Sequence, residues 1–277
     1  MGKILVTGAT GKVGGNLVSL LADAGYPVRA VVRDPARAAL PAAVEVVRGD
    51  LSDPDSVARA VHGVDAVFLI WPGIAVEPRT VKAIITGVRQ VVYLSTDVAD
   101  LADGEPATSF HQEIERLIRD SGVRWTFLRP IDFAANMLAW SGQVRQGVVR
   151  WPYARAARSL IHERDIAEAA ATVLTIGGHD GARYVLTGPE ALTHAELAGI
   201  IGEVIGRPVR WEEQDPGQAY AELAAAWGNP GFAAARLAAW KSFVETPERV
   251  TDTVPRLLGR PARTFRSWVQ DHLGDFS

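Results

Sequence analysis

Three glycines spaced three residues apart carry the sharpest chemistry in this chain. They stand at 8, 11 and 14 in Thr7-Gly8-Ala9-Thr10-Gly11-Lys12-Val13-Gly14, a GxxGxxG pattern and not the GxGxxG of many dehydrogenases. The apolar run Ile4-Leu5-Val6 precedes the loop and a helical period follows it, so the glycines join a strand to a helix. Gly8 allows a tight turn, Gly11 lets the backbone approach a pyrophosphate, and Gly14 lets the helix pack closely on the strand. Backbone N–H groups of the loop, Thr10 to Val13 included, and the positive end of the helix dipole then face the anion. Without a ligand the same pattern is only a tight strand-to-helix turn.

Further along, other residues fall where such a ligand would extend. Enzymes that use NAD usually carry a carboxylate about 20 residues after the loop to hold the ribose 2′-hydroxyl. Here that place is taken by Arg33, whose planar guanidinium suits a 2′-phosphate, while Asp34 before Pro35 reads as the cap of a short helix. Lys12 can add charge beside the same phosphate. NADP(H) is therefore expected in preference to NAD(H). Asp50 and Leu51, after the third strand, are placed for the adenine, although Asp50 can also be read as a cap. Ile70, Trp71 and Pro72 end the fourth strand at the ligand edge, with Trp71 expected as a pocket wall.

The elements that must position these residues are legible as patterns. Strands are expected at Lys3–Thr7, Pro27–Val32, Val44–Arg48, Ala66–Ile70, Gln90–Ser95, Arg124–Arg129 and Arg183–Leu186. Most are continuous apolar runs, the mark of a parallel sheet covered on both faces. Helical periods at about 12–23, 54–62, 77–88, 109–120 and 163–175 alternate with them. The fold class is α/β: a doubly wound parallel sheet forming a Rossmann-like NAD(P)-binding core, with a smaller, mostly helical C-terminal lobe. The core is expected over 1–155, with 160–188 returning to it, and the lobe over 189–277.

Composition excludes several classes. The chain has 277 residues, no cysteine, and 29 basic against 32 acidic residues, for a net charge of −3. Disulfide scaffolds, thiolate metal sites and thiol nucleophiles are ruled out, and no nucleic-acid or membrane partner is expected. His62, His162, His179, His194 and His272 lack metal-ligand spacing, so no metal is expected either. No apolar stretch reaches the length of a signal peptide or a membrane span, and a cytoplasmic protein, monomer or homodimer, is the expectation.

The glycine loop, Val28-Arg29-Ala30-Val31-Val32-Arg33-Asp34-Pro35, Gly49-Asp50-Leu51, Ser121 to Pro130 and Asp165-Ile166-Ala167 together resemble the NmrA-like, atypical short-chain dehydrogenase/reductases. The resemblance covers about residues 1–210 and implies the Rossmann-like core and a nicotinamide cofactor. The family's ordinary relatives protonate a carbonyl with a Tyr-x-x-x-Lys pair, which this chain lacks. In the register the resemblance suggests, Ala107 stands at the tyrosine position and His111 at the lysine position, with Ser95 where relatives keep an active-site serine. His111 and Ser95 are thus the candidate catalytic residues, and with Thr96, Pro130 and Phe133 they are expected near the nicotinamide. His111 reads either as a ribose-binding donor, as a general acid near pH 7, or as a solvated residue at a helix start. Trp71, Phe133, Asn136, Met137, Trp140, Trp151 and Tyr153 form the candidate substrate pocket; such stripes are also common in cores. A pocket that is apolar and aromatic, without clustered cations, suits a flat uncharged molecule. The expected activity is an NADPH-dependent oxidoreductase acting on a small aromatic, quinone-like or conjugated carbonyl compound. The alternative is a non-catalytic NADP(H)-sensing regulator that binds a protein partner.

Overall fold

The computed structural model of the chain describes residues 2–97 and 106–277. Its residues divide into two compact units: Met1–Ile131 with Glu163–Leu186 and Thr253–Arg260, and Asp132–His162 with Thr187–Asp252 and Pro261–Ser277. The division runs differently from the expected one, because 132–155 fall in the second unit and a late helix falls in the first.

In the first unit the seven apolar runs become β1 (Ile4–Val6), β2 (Val28–Val32), β3 (Glu45–Arg48), β4 (Ala66–Ile70), β5 (Gln90–Leu94), β6 (Arg124–Pro130) and β9 (Ala182–Leu186). They form one sheet in the order β3-β2-β1-β4-β5-β6-β9, parallel at each pairing. Helices α1 (Lys12–Asp23), α2 (Pro54–Val61), α3 (Pro78–Ile85), α4 (Phe110–Asp120), α6 (Glu163–Thr175) and α10 (Thr253–Leu258) complete it. Leu5, Val67, Leu69, Val91, Tyr93 and Phe127 point one way into a cluster with residues of α2, α3 and α4. Their neighbours along each strand point the other way, which is why the runs lack polar alternation. α1 packs on α6, and so does α10.

Local signals end the elements where the sequence suggested. Gly25 takes φ +78 after α1, and its N–H bonds back to Ala22 O. Asp53 caps α2 through Asp55 N and Ser56 N, and Ser109 with Gln112 forms a capping box at α4. Strand order reverses direction at β1, between β2 and β4. The carboxyl ends of these strands therefore make the switch point at which doubly wound sheets bind ligands.

The second unit is mostly helical: α5 (Ser141–Arg145), α7 (His194–Ile205), α8 (Pro216–Trp227), α9 (Pro230–Ser242), α11 (Phe265–Asp271) and α12 (Leu273–Phe276). Two small ladders support it, β7 (Val148–Trp151) parallel to β11 (Arg210–Glu213), and β8 (Ala157–Arg158) antiparallel to β10 (Leu192–Thr193). Sequence reading missed all four strands, which are too short or too polar to leave a period. Among the described residues, no helix is long and apolar enough to cross a membrane.

Candidate dinucleotide site

The glycine loop is a backbone construction. Gly8 lies at φ +62, and Gly11 N–H donates to Gly8 O at 2.9 Å. A Cβ on Gly14 would come within 2.2 Å of the Gly8 carbonyl oxygen, so helix and turn meet at a distance that only glycine permits. Gly11 precedes α1 without any side-chain cap, which leaves the first-turn N–H groups for a ligand. Thr10, Gly11 and Lys12 are exposed, whereas Val13 and Gly14 are buried. Thr7 ties the loop to β4: its hydroxyl accepts from Ile70 N at 2.7 Å and donates to Ile70 O at 3.0 Å. The Ile70 side chain fills the space beside Gly8.

At the ends of β2 and β3 lies a cavity of about 610 Å³, lined by Arg33, Arg48 and Arg59 together with Asp50, Ser52 and Asp53. None of the three guanidinium groups has a hydrogen bond or ion pair with another described side chain. Asp34 is the cap of the next turn, accepting from Ala36 N at 3.1 Å. Asp50 is oriented by Ser52, whose N–H and hydroxyl donate to Oδ1 at 2.9 and 2.7 Å. Those bonds, with Arg33 nearby, hold its carboxyl below the usual range. Leu51 is half-buried against the core. Sequence reasoning missed Arg48 and Arg59. Arg48 ends β3 as Arg33 follows β2, so the strand-end rule that found one applied to both.

Two expectations at the sheet edge need correction. Trp71 is not an open pocket wall: it is 4% exposed, joins the apolar core, and donates its indole N–H to Ile74 O at 2.9 Å. Pro72 beside it is exposed, as are Gly73, Ile74 and Ala75 after it. His111 is not an acid at neutral pH either. Its ring is half-buried on Phe110, and burial lowers its pKa to about 4, so the imidazole is neutral. Its Nδ1 lies 2.8 Å from the hydroxyl of Tyr93, a residue that sequence reasoning missed. Beside them Glu115 and Arg129 form a buried ion pair, Nε to Oε1 at 2.9 Å.

Ser95 is buried directly after β5. Its N–H donates to Leu128 O at 2.7 Å, while its hydroxyl has no partner among the described residues. A buried hydroxyl without a partner is costly, and a ligand group at this edge would satisfy it. Thr96 beside it is half-buried, and Pro130 is buried at the end of β6. Uncapped helix N–H groups, the glycine approach, the orphan hydroxyl and the unpaired arginines all suit a phosphorylated dinucleotide. Among the described residues, no group of His, Asp or Glu is arranged to hold a metal.

The remaining candidates belong to the second unit. Met137 and Trp140 are in its apolar core, Trp140 at 0% exposure, so they are packing residues and not an open pocket wall. Trp140 packs edge-on against Trp151 and Trp211, and Trp151 packs on Trp240. Tyr153 takes φ 61, and its N–H donates to Glu213 Oε1 at 2.6 Å. Phe133 is half-buried and bridges Ile161, while Asn136 donates to Asp132. Asp132 itself was overlooked. It is buried and holds both Arg158 and Arg236, and Arg158 also reaches Glu248. Burial acts to raise the Asp132 carboxyl, but Arg236 and Arg158 outweigh it and keep it low. The candidate substrate pocket was expected to lack clustered cations, yet Arg158 and Arg236 converge on Asp132, next to Phe133, in this unit.

Strand order, glycine loop and arginine cavity define a Rossmann-type dinucleotide-binding protein. The chain belongs to the NmrA-like family, whose profile matches residues 1–249, so the resemblance read from short motifs holds over most of the length. It is 41% identical over 281 residues to the (4-alkanoyl-5-oxo-2,5-dihydrofuran-3-yl)methyl phosphate reductase of Streptomyces griseus subsp. griseus, covering 99% of both chains. It is 34% identical to the NAD(P)H azoreductase of Xenophilus azovorans, again over 99% of each. Among solved structures it resembles the NADPH-dependent quinone oxidoreductase of Escherichia coli complexed with NADPH, with a TM-score of 0.80, 27% identity, and 97% and 99% of the two chains covered.

Proposed function

We propose that this NAD(P)H-dependent reductase prefers NADPH to NADH and delivers hydride to a conjugated carbonyl compound without a Tyr-x-x-x-Lys pair. The observation that carries the cofactor preference is the cavity lined by Arg33, Arg48 and Arg59 beside an Asp50 already engaged by Ser52. A 2′-phosphate placed there meets guanidinium donors, whereas a 2′-hydroxyl finds no free carboxylate from Asp34.

The names of the similar proteins support the substrate class. The butenolide in the Streptomyces griseus name carries a carbon–carbon double bond conjugated to a lactone and an alkanoyl carbonyl, and quinones share that electron-poor conjugation. NADPH, when bound, supplies the hydride to such a carbon. The Gly8–Gly14 loop would hold the pyrophosphate, and the Ser95 hydroxyl would offer its free donor to the bound cofactor or substrate. His111, neutral at working pH, gives a hydrogen bond and not a proton, so water supplies the proton to the reduced carbonyl system. A conjugated acceptor tolerates this, since it spreads the incoming charge before protonation.

The test is NADPH consumption with an alkanoyl butenolide phosphate, a quinone and an isolated ketone, repeated with NADH. Turnover on the two conjugated compounds, faster with NADPH, is expected. Reduction of the isolated ketone alone would overturn the substrate class. Equal use of NADH would overturn the cofactor preference.

A further inference from the structure

The buried hydroxyl of Tyr93 has one partner among the described residues, the Nδ1 of His111 at 2.8 Å. Tyr93 is on β5 with no exposed surface, its ring edge-on to Phe127 of β6. The imidazole it meets sits in the first turn of α4, packed at a tilt on Phe110 with centroids 4.1 Å apart. Strand, capped helix start and the Phe110 ring together hold imidazole and hydroxyl in one geometry.

We propose that Tyr93 is a positioning residue that fixes His111 in a single tautomer, protonated on Nε2, so that the neutral ring presents an N–H donor to a ligand. A phenolic hydroxyl has one proton to give, and the one acceptor it reaches among the described residues is Nδ1. Burial and the charge of Glu115 push the Tyr93 hydroxyl upward, so it keeps that proton at any working pH. A ring that accepts at Nδ1 and carries no charge must hold its proton on Nε2. That nitrogen has no partner among the described residues, and the residue is half-buried. A neutral imidazole fixed in this way can polarise a carbonyl oxygen or hold a ribose hydroxyl, and it cannot itself become the acid. The ligand-facing role of Nε2 rests on the function proposed above; the tautomer does not.

The ¹⁵N spectrum of histidine-labelled protein at neutral pH tests the tautomer directly, with His111 assigned by its loss in His111→Gln. An unprotonated Nδ1 and a protonated Nε2 are expected. A protonated Nδ1 would overturn the proposal without any variant of Tyr93. Tyr93→Phe keeps the ring against Phe127 and removes the hydroxyl. It should mix the tautomers and lower kcat roughly threefold to tenfold. His111→Gln carries an amide donor where Nε2 stood and should make turnover insensitive to Tyr93→Phe. An equal loss from Tyr93→Phe in both backgrounds would mean that Tyr93 is merely structural, and would overturn the proposal. The expected tautomer with turnover indifferent to both variants would leave the positioning intact and remove His111 from the proposed reaction.

Discussion

The switch point of the first unit and the ion cluster of the second are both built from charged side chains, but they are assembled in opposite ways. At the switch point the pieces are short and local: glycines three apart, then one arginine at the end of each neighbouring strand. The sheet aligns those strand ends, so the site follows once the fold is known. In the second unit Asp132 meets Arg158, 26 residues away, and Arg236, 104 away, and Glu248 joins from beyond Arg158. No strand register dictates that meeting. A backbone site tolerates many side chains around a few fixed glycines. The buried cluster depends on each of its members, because an ion left alone in the interior has no water to turn to.

The largest effect expected from this contrast is in the second unit. Asp132→Ala leaves Arg158 fully buried without its shortest-range partner and should cost about 3–5 kcal/mol of stability. Calorimetry would measure that loss, with NADPH affinity determined below the melting range. Intact affinity supports two separately built regions, and loss of both together would break the comparison. Next in size is Gly14→Ala. The added methyl meets the Gly8 carbonyl at 2.2 Å, and relieving that overlap should cost about 1–3 kcal/mol. NADPH binding, followed by fluorescence, should fall further than stability does, since the helix start must move away from the turn. Unchanged binding would show that the close approach is dispensable.

How much was legible in the sequence follows the same contrast. The central strands β1, β4 and β5 of the first unit were readable because they are buried on both faces and stay almost wholly apolar, whereas the edge strands β3 and β9 are only partly buried and were readable from their short β-branched or aromatic runs. Gly25, Asp34 and Asp53 were readable because caps and turns are decided by their own neighbours. Trp140 and Met137 fall at helical spacing, and spacing alone does not tell a core face from a pocket face; here they are core. Tyr93 was invisible for a related reason. In an apolar strand it reads as packing, and only the placement of α4 against β5 brings its hydroxyl to His111. Arg48 and Arg59 needed the cavity to give them a common purpose.

Arg33→Ala comes next. Loss of a charge-assisted contact of about 1.5–3 kcal/mol should weaken NADPH roughly 10–150-fold, with Arg48 and Arg59 keeping the loss toward the lower end. NADH affinity should hardly change. Paired titrations with the two cofactors read the difference directly, and an equal loss for both would remove the 2′-phosphate from this cavity.

At neutral pH the smallest expected effect concerns the histidines, one in each region. Burial lowers both His111 and His194 from 6.5 to about 4, with Arg158 adding to the shift of His194. In the unfolded chain each titrates near 6.5. Between those values the unfolded state binds the proton and the folded state does not, so stability rises with pH and is lost as pH falls from 6.5 toward 4. Each ring contributes a slope of at most about 1.4 kcal/mol per pH unit across that window, and none above it. His111→Gln and His194→Gln should each flatten the curve by one such share, measured by denaturant unfolding at several pH values. Activity should show no imidazolium inflection near 6.5, since the His111 ring is already neutral there in the native protein. An inflection there that disappears in His111→Gln would restore the acid role and place the difference between the two histidines in chemistry and not in burial.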